Sequence, residues 1–137
     1  VILDAFKKNS FGELYSSDFP DQKNLNVEKY TGILVKEKNP KNWTLDINGD
    51  EIALNRFIRN IKSNYIDFFH YDSDKSFSGR KFAFELIKKK LSSNSIVIFD
   101  DIGDNLYFKN LVENEKLKYK IFNFKNGFVG LIFNYKN

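Results

Sequence analysis

The sequence predicts an α/β fold with a mostly parallel sheet, helices on both faces and a closing antiparallel hairpin. Runs of strand length alternate with helical stripes along the chain, which is typical of such sheets. The run SIVIF (95–99) is rich in β-branched and aromatic residues, as are strands that are covered on both faces. Near the end, only Lys125 and Asn126 separate two strand-like runs, which predicts a tight hairpin with Gly127 supplying turn freedom.

The predicted elements follow one another closely. Residues 1–9 predict the end of a helix, and residues 12–18 predict a strand that runs to Asp18, after which Pro20 stops regular structure. Residues 24–37 are ambiguous between helix and extended chain, and residues 39–42 predict a turn. Further helices are predicted at 51–61, 79–91 and 105–115, and further strands at 43–47, 65–72, 95–99, 118–124 and 127–135. This order predicts a Rossmann-like architecture in a single domain, 1–137.

Composition limits the chemistry that the chain can perform. The sequence has 137 residues, no cysteine and a single histidine, His70. Disulfides, thiol nucleophiles, cysteine-bound zinc and multi-histidine metal sites are therefore excluded. A bound metal would need oxygen ligands, which favours magnesium, calcium or manganese. No apolar run approaches the roughly 20 residues of a membrane span, and no signal peptide is visible, so we expect no membrane partner and a cytoplasmic location.

The net charge of +4 raises the question of a nucleic-acid partner. The basic residues are mostly lysines that are dispersed among acids and asparagines. The one run, 88–90, ends a predicted helix, where the helix dipole favours cations, and we interpret it as a solvated helix end. A nucleic-acid partner is therefore not expected.

Acidic side chains follow the predicted strands at the points where the strands end. In open parallel sheets, ligands bind outside the carboxyl ends of the strands. The stretch FFHYDSDKS (68–76) fits this pattern, because a strand expected to be mostly buried opens directly onto charged residues. The sequence therefore predicts a site at this edge of the sheet. The acids concerned are Asp18, Asp50, Asp72, Asp100 and Asp101.

The chain carries, in order, the stretches GILVKEKNPKNWTLDINGDEI, YIDFFHYDSDKSFSGR and SIVIFDDIGDN. Together they resemble the class I S-adenosylmethionine-dependent methyltransferases, in particular the small-molecule O-methyltransferase branch. Relatives in that branch carry a tryptophan–strand–Gly-Asp element, an element similar to IDxxxxDSDHSY, and a strand that ends in Asp-Asp. The closing hairpin fits the same fold. The resemblance covers the chain from Phe11 onward and implies methyl transfer from S-adenosylmethionine.

One part of the family pattern is missing from the sequence. Members open with a strand and a glycine-rich turn that hold the methionine part of the cofactor, and no G-x-G-x-G occurs here. Either residues before Val1 have been left out, or the chain is a reduced form that binds the cofactor poorly or not at all. We favour the first, an N-terminally incomplete domain. Loss of the central strand would leave buried backbone groups unpaired, at about 1–3 kcal/mol each.

The resemblance implies cofactor contacts for three residues. Asp18 matches the acid that accepts hydrogen bonds from the ribose hydroxyls, and one carboxylate can accept two such bonds. Asp50 and Glu51 lie in the turn that contacts adenine, where an acid or the next residue meets the exocyclic amine. The alternatives are that Asp18 shapes a turn before Pro20 and that Asp50 caps the following helix.

The resemblance also implies a magnesium site. In catechol-type O-methyltransferases, an acid ending the fourth strand and an acid pair after the fifth hold Mg²⁺, and Asp72, Asp100 and Asp101 match those positions. Converging carboxylates repel one another unless a cation or a proton intervenes. Mg²⁺ takes oxygen ligands and leaves places for water and substrate. The alternative is that Asp101 caps the next helix while Asp72 simply ends its strand.

Lys75 and Asp72 are the predicted catalytic pair. In catechol-type enzymes a lysine at this spacing is the general base, whereas closer relatives carry histidine there. The role requires a lowered pKa, which burial beside a metal could give, and the alternative is a surface lysine. His70 is expected to be a hydrogen-bonded core residue. Phe77 and Tyr107 fit either the core or the wall of an acceptor pocket.

The first expectation for function is therefore S-adenosylmethionine-dependent O-methylation of a small molecule, such as a diol, sugar or phenol, with Mg²⁺ assistance. Two alternatives from other classes stay open. One is a non-catalytic binding or scaffold module that has lost the cofactor turn, and the other is an RNA methyltransferase or RNA-binding domain. Whether the chain forms a homo-oligomer also stays open.

Overall fold

The computed structural model of the chain describes residues 1–19, 26–38, 40–63 and 65–135. It divides into two compact units, Val1–Phe57 and Ile58–Asn137. The first unit holds a two-stranded sheet and the second a four-stranded sheet. The architecture is the predicted α/β type, with parallel strand pairs and a closing antiparallel hairpin. The single domain over the whole chain stays a prediction.

The first unit is built around one parallel strand pair. Strand β2 (Trp43–Asp46) lies beside strand β1 (Leu14–Ser17), with Leu14 opposite Trp43 and Ser17 opposite Asp46. The stretch left ambiguous by the sequence is helical or turn over 26–38, while Pro20, residues 21–25 and Asn39 lie outside the described residues. The helices of this unit are α1 (Ile2–Asn9), α2 (Val27–Tyr30), α3 (Ile33–Lys36) and most of α4 (Asp50–Asn60), whose last three residues belong to the second unit.

Asp46 is a buried charged residue of the first unit. Its carboxylate, only 9% exposed, accepts a hydrogen bond from the Asn48 backbone N–H at 3.0 Å and one from Arg56 Nη1 at 2.9 Å. Burial by itself would raise the pKa of Asp46, but the hydrogen bonds from Asn48 and Arg56 outweigh it and hold the pKa below its usual range. This carboxylate therefore fixes the end of β2 from which the next turn departs.

The second unit contains a mixed sheet with the spatial order β3-β4-β6-β5. Strands β3 (Ile66–Tyr71) and β4 (Leu91–Phe99) are parallel. Strand β6 (Gly127–Phe133) is antiparallel to both β4 and β5 (Lys118–Phe124). The predicted strand 95–99 is thus part of an interior strand, as the predicted fold requires.

Two helices and a helical turn complete the second unit. Helix α5 (Phe77–Ile87) continues into a 3-10 turn (Lys88–Lys90), so the lysine run does end a helix as predicted. Helix α6 (Tyr107–Asn114) follows β4. The ring of Phe99, fully buried on β4, lies at the centre of the core, with ring centroids 5.8 Å from Tyr107 and 6.1 Å from Phe108. None of the helices in the described ranges is long and apolar enough to cross a membrane.

Three burial predictions are wrong. The strand 65–72 is not mostly buried, and His70 is exposed rather than in the core. The reason is position, because β3 forms one edge of the four-stranded sheet. Strand β4 is not covered on both faces either. Val97 and Phe99 are fully buried on one face, whereas Ile96 on the other is 39% exposed.

The role predicted for Gly127 also changes. Its φ does not lie in the left-handed region, so the hairpin does not use the conformational freedom of glycine at this position. Space explains the residue instead. A Cβ at Gly127 would lie 2.9 Å from Asp101 Oδ1, closer than carbon and oxygen normally approach. The missing side chain leaves room for a carboxylate that belongs to the predicted site.

Candidate functional site

Three carboxylates of the second unit converge at the carboxyl ends of β3 and β4. Tyr71 and Phe99 are register partners, and the Asp100 N–H donates to the Tyr71 carbonyl at 3.0 Å, so the chain leaves both strands at the same level. Asp72, Asp100 and Asp101 each offer one carboxylate oxygen, and these oxygens lie within 4.8 Å of one another. We call these three residues the acidic cluster. The structure thus brings together the metal-ligating residues that the sequence predicts.

Lys75 lies against the acidic cluster. Its ammonium group donates to the Asp101 carboxylate and is 3.3 Å from Asp72 Oδ1. The hydrogen bond to Asp101 is the main cause that raises the pKa of Lys75, and the contact with Asp72 adds to it. In this arrangement Lys75 is a cation that compensates two carboxylates. The predicted lowering of its pKa is therefore not found, and in this arrangement Lys75 is not a base.

Arg80 holds the turn that carries Asp100 and Asp101. It is the largest fully buried side chain of the described residues, with 0% exposure, and it projects from α5. Its Nη2 donates to the Asp100 carbonyl at 3.0 Å and to the Asp101 carbonyl at 2.8 Å. Asp101 itself has a φ of 47°, in the left-handed region that is uncommon for residues other than glycine. Arg80 therefore holds the backbone of Asp100 and Asp101, the two residues of this turn whose carboxylates belong to the acidic cluster.

Asn105, in the loop before α6, contacts the segment that carries Lys75, and two aromatic residues lie at the starts of α5 and α6. Asn105 donates to the Lys75 carbonyl at 2.7 Å and accepts from the Tyr107 N–H at 2.9 Å. The N-cap position of α6 is Leu106, which makes no side-chain cap, so the capping alternative for Asp101 is wrong. Phe77 and Tyr107 pack edge to face at 5.3 Å, with Phe77 43% exposed and Tyr107 5% exposed. Tyr107 belongs to the core, and Phe77 presents an aromatic surface.

A second group of predicted residues lies in the first unit, where β1 and β2 end. The Asp18 N–H donates to the Asp46 carbonyl at 3.0 Å, and the Gly49 N–H donates to the Asp18 carbonyl at 3.1 Å. These backbone bonds hold the segment after β1 against the turn after β2. Gly49 has a φ of 78°, which glycine adopts without strain. We call Asp18, Asp50 and Glu51 the cofactor cluster.

The carboxylates of the cofactor cluster have mostly neutral surroundings. Asp18 is exposed, and its Oδ1 accepts from the Phe19 N–H at 2.8 Å. Asp50 begins α4, and its Oδ1 accepts from the Ser17 hydroxyl at 3.1 Å. Asp50 Oδ2 is buried and has no hydrogen-bond partner among the described residues. Glu51 is exposed on the first turn of α4.

Phe19 is a further residue of this region. It is 62% exposed, directly follows Asp18, and lies close enough to Gly49 that a Cβ there would be 3.0 Å from its ring. An exposed aromatic ring that directly follows Asp18 offers a flat apolar surface near a hydrogen-bond acceptor. The sequence contains a signal for Phe19, because this aromatic residue directly follows Asp18, the acid predicted to end a strand.

The sequence profile of a family described as a methyltransferase domain matches residues 1–102. This is well over half of the chain, and it includes both clusters. The chain belongs to this methyltransferase family. Its members transfer methyl groups from S-adenosylmethionine, so the chain is an S-adenosylmethionine-dependent methyltransferase. No curated protein matches the sequence significantly.

Solved structures support the fold of this methyltransferase. An rRNA methylase from Streptococcus thermophilus is 13% identical, with a TM-score of 0.60, over 90% of this chain and 74% of that one. A methyltransferase from Geobacter sulfurreducens is 16% identical, with a TM-score of 0.55, over 88% of this chain and 58% of that one. Precorrin 8w decarboxylase from Methanobacterium thermoautotrophicum is 16% identical, with a TM-score of 0.52, over 88% of this chain and 68% of that one.

Arg80 is the site residue that sequence reasoning missed most completely. The sequence did contain a signal. Arg80 stands on the same helical stripe as Ala83, Phe84 and Ile87, at spacings of three, four and seven residues, and all four are buried in the structure. A charged residue on an apolar stripe must find a partner inside the protein. The partner, however, is a pair of backbone carbonyls from a distant turn, which no local pattern reveals.

Proposed function

We propose that this methyltransferase methylates an oxygen atom of a small molecule, with a divalent cation, preferably Mg²⁺, held at the acidic cluster. The observation that carries the proposal is the convergence of three carboxylate oxygens within 4.8 Å of one another at the ends of two parallel strands. Such a set of hard oxygen donors suits Mg²⁺ and leaves coordination places for an acceptor. We further propose a diol, sugar or phenol as the acceptor, and a cytoplasmic location stays a prediction.

The cofactor cluster fits the adenosine part of S-adenosylmethionine. Asp18 offers an exposed carboxylate, which can accept hydrogen bonds from two hydroxyl groups. Asp50 Oδ2 is a buried acceptor that lacks a donor among the described residues, and leaving such an atom unpaired costs about 1–3 kcal/mol. An amino group of a ligand would satisfy it. Phe19 supplies the apolar surface that a planar base requires.

When bound, S-adenosylmethionine would supply an electrophilic methyl group, and a cation at the acidic cluster would supply a positive charge that lowers the pKa of an acceptor hydroxyl. The residues of the chain would position the two ligands and balance their charge. Asp72, Asp100 and Asp101 would hold the cation. In the transfer itself, the acceptor oxygen bonds to the methyl carbon as the carbon–sulfur bond breaks, and the electron pair stays on sulfur. The main requirement is alignment of the acceptor oxygen with the methyl group.

Lys75 is proposed as the group that takes the acceptor proton at Nζ. Its present contacts with Asp101 and Asp72 raise its pKa and keep it charged. When those carboxylates bind a cation, Lys75 loses the partners that stabilise its charged form, and its pKa falls. Lys75 would therefore change from counter-ion to base as the cation binds. The competing explanation is that Lys75 permanently neutralises the cluster and that no cation binds.

The first test is methyl transfer with and without a chelator. We expect EDTA to abolish transfer to catechol-type and sugar acceptors, and Mg²⁺ to restore it. Asp100→Asn should lower kcat/KM by at least about a hundredfold, because it removes a charged ligand whose contribution acts on the reacting oxygen. The matched control is Asp67→Asn, which changes an exposed carboxylate of β3 outside the cluster and should leave activity unchanged.

The result that overturns the proposed cation is full activity in excess chelator. Methylation of ribosomal or transfer RNA in place of small molecules would instead favour the RNA methyltransferase alternative. The fold likeness to an rRNA methylase does not decide between the two acceptors, because it is a likeness of structure at 13% identity.

A further inference from the structure

The geometry points to Arg80 as the residue that positions the Asp100–Asp101 turn for cation binding. We propose that its guanidinium, acting through two backbone carbonyls, fixes the direction in which these two carboxylates leave the chain. This inference rests on the proposed cation site. It concerns a residue that touches neither cation nor substrate, so Arg80 is a positioning residue.

The contacts of Arg80 are concentrated on one turn. A single nitrogen, Nη2, donates to the carbonyls of Asp100 and Asp101 at 3.0 and 2.8 Å. The same nitrogen is 3.9 Å from Asp104 Oδ2, a long ion pair with a half-exposed carboxylate. The Asp104 N–H also donates to the Asp101 carbonyl, at 3.2 Å. Asp101 is therefore held at its carbonyl from two sides while its carboxylate points to Lys75 and the cluster.

Stability alone does not explain an arginine at this place. Its side chain is completely buried, and Nε and Nη1 have no hydrogen-bond partner among the described residues. A buried guanidinium with unpaired donors costs free energy, and an apolar side chain of similar length would avoid that cost. What an apolar side chain lacks is a donor for the two carbonyls. The Arg80 guanidinium is thus explained by its hydrogen bonds to the Asp100 and Asp101 carbonyls, which hold the turn in place.

The hydrogen bonds from Arg80 matter because the backbone conformation of Asp101 is unfavourable by itself. Asp101 has a φ of 47°, a conformation that costs a non-glycine residue free energy and persists only when its surroundings enforce it. Release of the carbonyls would allow Asp101 to return to an ordinary φ, and the Cα–Cβ bond would then point elsewhere. Gly127 provides the second constraint, because its missing Cβ leaves the space that Asp101 Oδ1 occupies. Arg80 and Gly127 together define one position for the Asp101 carboxylate.

The test compares Arg80→Met and Arg80→Lys with the wild type in two measurements. The first is Mn²⁺ affinity by calorimetry, with Mn²⁺ as a probe of the cation site. We expect both variants to bind Mn²⁺ about 10–100-fold more weakly, the usual effect of removing a group that orients metal ligands. The second is amide hydrogen exchange in the metal-free protein. We expect the backbone amides of Ile102 and Asp104 to exchange at least about tenfold faster in the variants than in the wild type, after correction for any change in global stability.

The matched control is Phe84→Leu, a buried substitution on the same helical stripe. Its ring packs on Phe99 and Tyr135. It should lower the melting temperature but change neither Mn²⁺ affinity nor the relative exchange of Ile102 and Asp104. Gly127→Ala is an independent test of the position of the Asp101 carboxylate. A Cβ at residue 127 should displace that carboxylate and weaken Mn²⁺ binding, while Arg80 is unchanged.

The outcomes separate this inference from the proposed cation site. Unchanged Mn²⁺ affinity and unchanged exchange in the folded Arg80 variants would overturn the positioning role. If the wild type itself binds no Mn²⁺, the cation site fails and so does positioning for a cation, whereas the exchange measurement still decides whether Arg80 tethers the turn. If Arg80→Lys, which keeps the charge, does not fold, Arg80 is a structural residue and the inference is wrong.

Discussion

The two clusters of carboxylates differ in what surrounds them. In the cofactor cluster, Asp18 and Asp50 accept hydrogen bonds from a backbone N–H and a serine hydroxyl, and one oxygen of Asp50 is left without a donor. In the acidic cluster, Asp72 and Asp101 face the ammonium group of Lys75, and Arg80 lies buried beneath the turn. Neutral donors surround the first group and cations the second.

This difference predicts different ligands for the two clusters. Carboxylates that are spaced apart and bound by neutral donors can accept further hydrogen bonds from neutral hydroxyl and amino groups. Carboxylates that crowd together require positive charge, because their mutual repulsion raises the free energy of the ionised state. Lysine supplies that charge in the present arrangement, and a divalent cation could supply more of it at the same place. The comparison thus predicts nucleoside recognition at the cofactor cluster and cation binding at the acidic cluster.

The largest effect on the cofactor cluster is expected from Asp18. Asp18→Ala removes the exposed acceptor and should weaken S-adenosylmethionine binding by about 1.5–3 kcal/mol, roughly 10–150-fold, as measured by calorimetry on the full-length protein. Asp50→Asn keeps the acceptor for Ser17 but replaces the second oxygen with an amide donor, which cannot accept from a ligand amino group, so binding should weaken by about 1 kcal/mol. Neither change should affect Mn²⁺ binding.

Glu51→Gln distinguishes between Asp50 and Glu51 as the residue that meets the exocyclic amine of adenine. Glu51 is exposed and is adjacent to Asp50. If Glu51 meets the exocyclic amine, Glu51→Gln should weaken cofactor binding while Asp50→Asn has no effect. Unchanged affinity in Asp18→Ala would show that the ribose assignment is wrong.

A smaller effect is expected at Asp46, which supports the cofactor cluster without belonging to it. The pKa of Asp46 is lowered in the folded state, so its ionised form contributes stability that is present above its unfolded-state pKa and is lost as pH falls through the lowered folded-state value. Arg56→Met removes one of the causes. It should lower the free energy of unfolding near neutral pH by up to about 1 kcal/mol, because the Arg56 side chain is 57% exposed and solvent screens the pair.

Chemical denaturation at several pH values measures this effect. The difference between Arg56→Met and the wild type should shrink as pH falls below the usual carboxylate range, since protonated Asp46 no longer attracts Arg56. A difference that stays constant with pH would mean that Arg56 acts through packing of its aliphatic stem and not through charge.

Much of the fold could be predicted because local patterns and the global architecture agree. The interior strand β4 and the hairpin strands β5 and β6 have strand-forming sequences bounded by polar residues, and each was located within a few residues. The acids of both clusters could be found for a related reason. Parallel strands place their carboxyl ends at one edge, so strand-end acids are predicted to meet before any distance is known.

The remaining features depend on neighbours that are distant in the sequence. Phe68 and His70 are exposed because β3 lies at a sheet edge, and edge position is a property of pairing, not of the strand itself. Gly127 is needed for the space that Asp101 occupies, 26 residues earlier in the chain, and not for its backbone conformation. Arg80 binds carbonyls, which every residue has, so no residue type in the sequence marks its partners.

The central claim is that the acidic cluster binds a cation in competition with Lys75, and it is tested most directly by Mn²⁺ titration of the wild type and of Lys75→Met. Removing the ammonium group frees the carboxylates of Asp72 and Asp101, because Lys75 contacts both. We therefore predict that the wild type binds one Mn²⁺ and that Lys75→Met binds it more tightly while methyl transfer falls. Absence of Mn²⁺ binding in both proteins, together with a large loss of stability in Lys75→Met, would contradict the account and leave Lys75 as the permanent counter-ion of a metal-free cluster.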